Sequence, residues 1–164
     1  MDWVLTAMSV DRSGIVEEIA AVVTKHEGNW VKSSLSRLGG QFAGIVQFTT
    51  PDGLDIAALK SELADLQKNG ITIQLEVDNP HERQSGVPAF IELTGMDHKG
   101  IVREITHLLR ENGVTIEQFE TDVFTASMAG EPMFAIEAQI LLPTGLSIDQ
   151  LTRSVEGIAG DIMV

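Results

Sequence analysis

The residues best suited to chemistry lie in two short turns of similar sequence. The segment Asp11-Arg12-Ser13-Gly14-Ile15-Val16 has a second copy, Asp97-His98-Lys99-Gly100-Ile101-Val102. In each copy an apolar, strand-like run ends before the Asp, and an amphipathic helical pattern begins at the Gly. The exposed N–H groups and the positive dipole end of a helix attract small anions. Each turn is therefore a candidate site for a small anionic group.

Each turn also offers a group for either end of a free amino acid. Gly14 and Gly100 would let a ligand approach the backbone because they carry no Cβ. The N–H groups that follow can bind a carboxylate, and the side chains of Asp11 and Asp97 could meet an ammonium group. Further positive charge near the carboxylate could come from Arg12, His98 and Lys99. The turns thus predict an amino-acid site in each copy.

A purely structural role for the same residues is the alternative. Aspartate often caps a turn or a helix, and glycine can serve backbone geometry alone. The apolar residues after each Gly are more often core than ligand-lining, and exposed basic residues are often only solvated. The copies also differ, with Ser13 against Lys99 and Arg12 against His98, which predicts that the two sites bind a ligand unequally. The full candidate set is Asp11, Arg12, Ser13, Gly14, Ile15, Val16, Asp97, His98, Lys99, Gly100, Ile101 and Val102.

The composition and net charge exclude several classes of binding partner and several kinds of reactive site. The 164 residues carry a formal net charge of -13, which argues against direct nucleic-acid binding and against an anionic membrane surface. The chain has no Cys, so disulfides, thiol nucleophiles and thiolate metal sites are excluded. The four His are not spaced as paired metal ligands, and we predict no metal, no cofactor and no catalytic residues. We expect a soluble cytoplasmic protein without a signal or membrane-spanning segment.

The order of predicted elements is β-α-β-β-α-β, and it occurs twice. The first copy is predicted over residues 1–78, a polar linker over 79–87, and the second copy over 88–164. The two turns correspond at a constant offset of 86 residues, and the starts of the two second helices, near Gly53-Leu54 and Gly145-Leu146, correspond at an offset of 92. This pattern predicts an α+β fold of two ferredoxin-like sandwiches in tandem, each an antiparallel sheet with helices on one face.

Local signals place the ends of several elements. Asp55 and Ser147 are predicted helix N-caps, and Gly39-Gly40 and Ala129-Gly130-Glu131 are predicted hairpin turns. Leu59, Leu63 and Leu66 share one face of the second helix. Residues 161–164 are predicted to form a short last strand. The open sheet faces and edges of such small units need covering, which predicts a homo-oligomer.

Other chemistries known on this topology fit poorly. A metal-transfer version requires a Cys-x-x-Cys turn, and an RNA-binding version requires aromatic residues on a basic surface. An acylphosphatase-like enzyme would need an Arg in the first turn. Arg12 is the only candidate for that role, and His98 takes its place in the second copy.

The paired Asp-x-x-Gly-Ile-Val turns, embedded in the repeated unit, resemble those of tandem ACT-domain proteins of the glycine cleavage regulator type. The resemblance covers nearly the whole chain. The family turn often carries Pro before the Gly, where this chain has Ser13 and Lys99, and Ser9 in the first copy corresponds to Gly95 in the second.

The resemblance implies a non-catalytic regulator that senses a small amino acid, with glycine as one candidate, at the first turn and at an interface between ACT units. It also implies indirect transcription regulation through a protein partner, such as the activator of the glycine cleavage genes. Two alternatives remain: a protein-interaction module without ligand sites, and the small acylphosphatase-like enzyme.

Overall fold

The computed structural model describes residues 1–79, 85–125 and 130–156. The chain divides into two compact units, residues 1–82 and 83–164. The first strand of the second unit begins at Val87, one residue inside the predicted linker. None of the described helices is long and apolar enough to cross a membrane.

The first unit has the predicted order of elements. They are β1 (Asp2–Val10), α1 (Ile15–Lys25), β2 (Asn29–Leu38), β3 (Gln41–Thr49), α2 (Ile56–Asp65), a short 3-10 helix (Leu66–Asn69) and β4 (Thr72–Val77). The strands form one antiparallel sheet in the order β2-β3-β1-β4. The predicted ferredoxin-like arrangement is confirmed. Leu66, expected on the apolar face of α2, instead lies in the 3-10 helix, where it is still buried.

The core of the first unit lies between one face of the sheet and the helices. Alternate residues of β1 are buried there, and they pack against one side of α1; these residues are Trp3, Leu5, Ala7, Ile15, Ile19 and Val23. The intervening residues of β1 point to the opposite face, where Met8 and Val10 are exposed. Inside the core the indole N–H of Trp3 donates to Thr50 Oγ1 at 3.0 Å, so this buried polar group is satisfied.

The second unit repeats this layout. Its elements are β5 (Val87–Met96), α3 (Ile101–Glu111), β6 (Thr115–Thr125), β7 (Pro132–Leu142) and α4 (Ile148–Glu156). In the described part of the unit the strands pair antiparallel in the order β5-β7-β6. The predicted last strand over 161–164 lies outside the described residues, as does Ala129 of the predicted hairpin turn.

Fine features repeat as well. A β-bulge interrupts β2 between Trp30 and Lys32 and interrupts β6 between Ile116 and Gln118. Both N-cap predictions are confirmed. The carboxylate of Asp55 accepts from the Ala58 N–H at 3.0 Å. The Ser147 hydroxyl accepts from the Gln150 N–H at 3.2 Å, and the Gln150 side chain accepts from the Ser147 N–H at 2.9 Å, which completes a capping box.

Candidate ligand-binding turns

Both candidate turns join the first strand of a unit to its first helix, and each is fixed to the neighbouring hairpin. The N–H of Asp11 donates to the Gly40 carbonyl at 2.9 Å, and the N–H of Asp97 donates to the Pro132 carbonyl at 3.0 Å. These backbone bonds hold the start of each turn at the same place in its unit.

The helices begin at glycines whose backbone is left-handed, with φ of 89° at Gly14 and 99° at Gly100. A Cβ on Gly14 would meet nothing nearer than 3.9 Å, so backbone conformation and not crowding calls for glycine. The first helical hydrogen bonds run from the N–H of Glu18 to Gly14 and from that of Glu104 to Gly100. No described side chain caps either helix. The N–H of Ile101 donates to the His98 carbonyl at 3.3 Å. The other N–H groups that precede those two glutamates in the first turns have no described acceptor, which leaves them available to an anion.

The aspartates do not cap these helices, so the helix-capping part of the structural alternative is wrong for both. Asp11 Oδ2 instead lies 3.2 Å from Nη1 of Arg37 on β2. The strand register puts Val123 at the position equivalent to Arg37. Asp97 is exposed and forms no ion pair within the described ranges. The two carboxylates therefore differ, since that of Asp11 forms an ion pair with Arg37 and that of Asp97 forms none with a described residue.

Arg12 is held in a network that closes over the start of α1. Its Nη1 lies 2.5 Å from Glu18 Oε1, and its Nη2 donates to the Asn69 carbonyl at 3.2 Å. The Asn69 side chain donates to the other oxygen of Glu18 at 2.9 Å. The hydrogen bond from Arg12, followed by that from Asn69, lowers the pKa of the Glu18 carboxyl, and the same carboxylate raises the pKa of Arg12. The positive charge of Arg12 is thus already paired.

His98 makes the equivalent contact in the second unit. Its Nε2 lies 3.1 Å from Glu104 Oε2, and its Nδ1 lies 3.3 Å from the Met96 carbonyl oxygen. Both partners are acceptors, so only the doubly protonated imidazolium can donate to both. The bond to Glu104, and then that to Met96, raises the pKa of His98.

The remaining predicted residues divide between core and surface. Ile15 and Ile101 are buried at 2% and 5% exposure and belong to the cores. Val16 and Val102 are exposed beside them at 38% and 40%. Ser13 and Lys99 are exposed, and Lys99 forms no ion pair with a described residue. Each turn therefore brings together an Asp, a basic side chain, uncapped N–H groups and an exposed Val. The Ile of each turn is buried in the core and does not line the candidate site.

Four residues that contact these turns were not predicted as site residues. They are Glu18, Arg37, Asn69 and Glu104. The sequence repeat could have identified Glu18 and Glu104, because each lies four residues after the glycine of its turn. Asn69 and Arg37 are distant in sequence and carry none.

The histidines form no metal site in the described part of the chain, where no group of three or more His, Asp or Glu side chains is arranged to hold an ion. His107 is exposed, 3.6 Å from Glu111. His26 is more enclosed than the expected surface or boundary position implied, since its side chain is 10% exposed and its Nε2 lies 3.5 Å from Glu62. His81 lies outside the described residues.

Comparison with known proteins gives a family match for the first unit and fold likenesses for the chain. Residues 2–76 match the family model of the ACT domain, while no curated protein matches the chain. The fold is similar to that of a solved protein of unknown function from Galdieria sulphuraria, with 27% identity, a TM-score of 0.81, and 99% of this chain and 95% of that chain covered.

Two further solved structures match. One is a proposed glycine cleavage system transcriptional repressor, at 19% identity and a TM-score of 0.67, with 96% of this chain and 89% of that chain covered. The other is a formyltetrahydrofolate deformylase from Pseudomonas putida KT2440, at 23% identity and a TM-score of 0.44, which covers only 48% of this chain and 29% of its own. The first unit thus matches the ACT-domain family over residues 2–76. The second unit repeats its fold, so the chain has a tandem ACT fold like that of the solved structures it matches along nearly its full length.

Proposed function

We propose that the chain is a non-catalytic regulatory protein that binds a free amino acid, with glycine as one candidate, at its helix-start turns. The observation that carries the proposal is the repeated geometry at Gly14 and Gly100, where an uncapped helix N-terminus adjoins an Asp. In this proposal the ligand carboxylate binds the N–H groups of the first helical turn that have no described acceptor, and the ligand ammonium group meets the Asp.

The second turn binds the more tightly in this proposal. The carboxylate of Asp97 forms no ion pair among the described residues, whereas that of Asp11 is already matched by Arg37. Lys99 likewise offers an unmatched positive charge, while the charge of Arg12 is committed to Glu18. A zwitterion therefore gains more in the second turn, because it displaces no existing ion pair there.

Regulation passes through a protein partner, such as a transcriptional activator, and not through direct contact with nucleic acid. The net charge of -13 supports an indirect role because it opposes binding to phosphate backbones. The likeness to the proposed glycine cleavage system transcriptional repressor supports glycine cleavage as the process that is regulated. The acylphosphatase alternative requires Arg12 to bind a phosphate. This is disfavoured, because Nη1 of Arg12 already donates to Glu18.

Isothermal titration calorimetry against the twenty amino acids tests the ligand. The best very small ligands gain at most about 1.5 kcal/mol per non-hydrogen atom, which limits glycine to a Kd no tighter than the order of 1 µM. Titrations must therefore reach millimolar ligand. We expect saturable binding of one or a few small amino acids.

Matched glycine variants locate the site. Gly100→Ala should weaken binding, because its methyl group and the strained backbone disturb the turn. Gly145 lies away from the candidate turn, has a φ of 94°, and would have nothing within 4 Å of an added Cβ. Gly145→Ala therefore introduces the same kind of backbone strain elsewhere and should leave binding intact. Equal loss in both variants, or no binding of any amino acid by the folded protein, would contradict the proposal.

A further inference from the structure

The open face of the second sheet carries a row of three glutamates. The strand register places Glu92 opposite Glu137, and Glu137 opposite Glu120. All three are exposed and alternate with buried neighbours on β5 and β7. Since adjacent strands lie about 4.8 Å apart, three carboxylates stand side by side across β5, β7 and β6.

No cation in the described part of this face balances the row. Gln118 donates to Glu120 at 2.8 Å, but no described Lys, Arg or His pairs with any of the three glutamates. Asp122 follows on the same face of β6, beside Ala135, and it adds a further negative charge. Like charges directly opposite each other destabilise a sheet, so this arrangement has a cost within the unit itself.

The fold does not require acidic residues at these positions. In the first unit the equivalent row consists of Thr6, Ile45 and Ser34, which pair across β1, β3 and β2. The same sheet is thus built there without any charge in the row. The glutamates are a feature of the second unit alone.

Large apolar side chains flank the glutamates on the same face. Phe90 is 54% exposed on one side, while Met96 and Phe124 are 45% and 41% exposed on the other. Lys and Arg side chains have long apolar stems and cationic heads, which pack on aromatic faces and pair with carboxylates. Carboxylates and exposed aromatic rings together therefore match a basic surface that also carries apolar residues.

We infer that this surface docks a basic, amphipathic segment of a partner protein. The acidic face, as we name it, consists of Phe90, Glu92, Met96, Glu120, Phe124 and Glu137. Its charge opposes nucleic acid and anionic membranes, and it opposes the same face of a second copy, because two glutamate rows would meet. The inference rests on the protein-partner half of the proposed function and needs no ligand in the turns.

Binding of a fluorescein-labelled amphipathic Lys/Leu peptide, followed by anisotropy at physiological salt, tests the inference. The variant E92Q/E120Q/E137Q should lose about tenfold or more in affinity. The control E17Q/D149N/E156Q changes the net charge equally at exposed positions elsewhere and should stay within about twofold of the unsubstituted protein. The variant F90A/F124A should also weaken binding, with circular dichroism confirming that each variant is folded.

Equal weakening in both charge variants would overturn the inference, because the peptide would then follow net charge alone. Unchanged binding in E92Q/E120Q/E137Q would overturn it as well. So would a change of oligomeric state in that variant by sedimentation velocity, since the face would then be covered by a second copy. Amino-acid calorimetry on the same samples separates this inference from the proposed ligand site. If no amino acid binds but the peptide still binds as expected, only the proposed ligand site is contradicted.

Discussion

The imidazole of His98 lies 3.1 Å from the carboxylate of Glu104, at the position where Arg12 meets Glu18 in the first unit. Each turn is thus closed by an ion pair across the first turn of its helix. Arg12 stays charged at all ordinary pH values, whereas a histidine titrates near neutrality. The two repeats therefore share one architecture but respond differently to protons.

The first prediction concerns His98. We expect its pKa in the folded protein to lie above the ordinary value of about 6.5, because Glu104 and the Met96 carbonyl both accept from the imidazolium. The resulting stabilisation is complete below about pH 6.5 and is lost as the pH rises through the folded-state pKa. An NMR titration of the ring protons measures this pKa, and Glu104→Gln should lower it. An identical titration curve in Glu104→Gln would show that the pair has no effect.

The second prediction concerns acid stability of the first unit. The pKa of Glu18 is lowered by Arg12 and Asn69, so its stabilising effect is present above the ordinary glutamate pKa, about 4.3, and disappears as the pH falls through the lower folded-state value. Glu18→Gln should therefore reduce the urea midpoint at pH 7 and have little effect at the acidic end. A midpoint difference that does not change with pH would refute this assignment.

The third prediction concerns the buried hydrogen bond between Trp3 and Thr50. Thr50→Val keeps the side-chain shape but leaves the indole N–H of Trp3 unpaired in the core. We expect a loss of about 1–3 kcal/mol in the free energy of unfolding, measured by urea denaturation. Thr50→Ser retains the hydroxyl and should lose less. Equal losses in the two variants would attribute the effect to packing.

The fourth prediction concerns repulsion within the acidic face. Glu137 has a glutamate directly opposite it on both sides, whereas Glu92 is opposite a single one in the described sheet. Glu137→Gln should stabilise the second unit by about 0.5–1 kcal/mol, and Glu92→Gln by about half as much. Urea denaturation at low salt measures both, and added salt should shrink the difference. Destabilisation by Glu137→Gln would contradict the repulsion.

Much of the fold could be predicted because its signals are local. The helical spacing that starts at Ile15 and Ile101 places both in the cores, and Asp55 and Ser147 cap helices through bonds to residues only three positions away. Repetition of the whole pattern in one chain then indicated the ferredoxin-like layout. These features depend on neighbouring residues, which the sequence displays directly.

The partners of the site residues could not be predicted in the same way. Asp11 reaches Arg37 across a hairpin, and Arg12 reaches Asn69 at the end of the 3-10 helix. The acidic face depends on strand register, and the bulge after Ile116 decides which face Glu120 occupies. A single inserted residue reverses the alternation of a strand, and periodicity alone does not reveal where that happens.

Amino-acid binding at the helix-start turns can be tested by a backbone amide NMR titration of the isotope-labelled protein with the amino acid that calorimetry selects. We expect the largest chemical-shift changes to cluster at residues 100–103, with smaller changes at residues 14–17 and a weaker apparent affinity there. Gly100→Ala should abolish the first cluster and leave the second. Shift changes confined to other surfaces, or none at saturating concentrations of every amino acid, would contradict amino-acid binding at these turns.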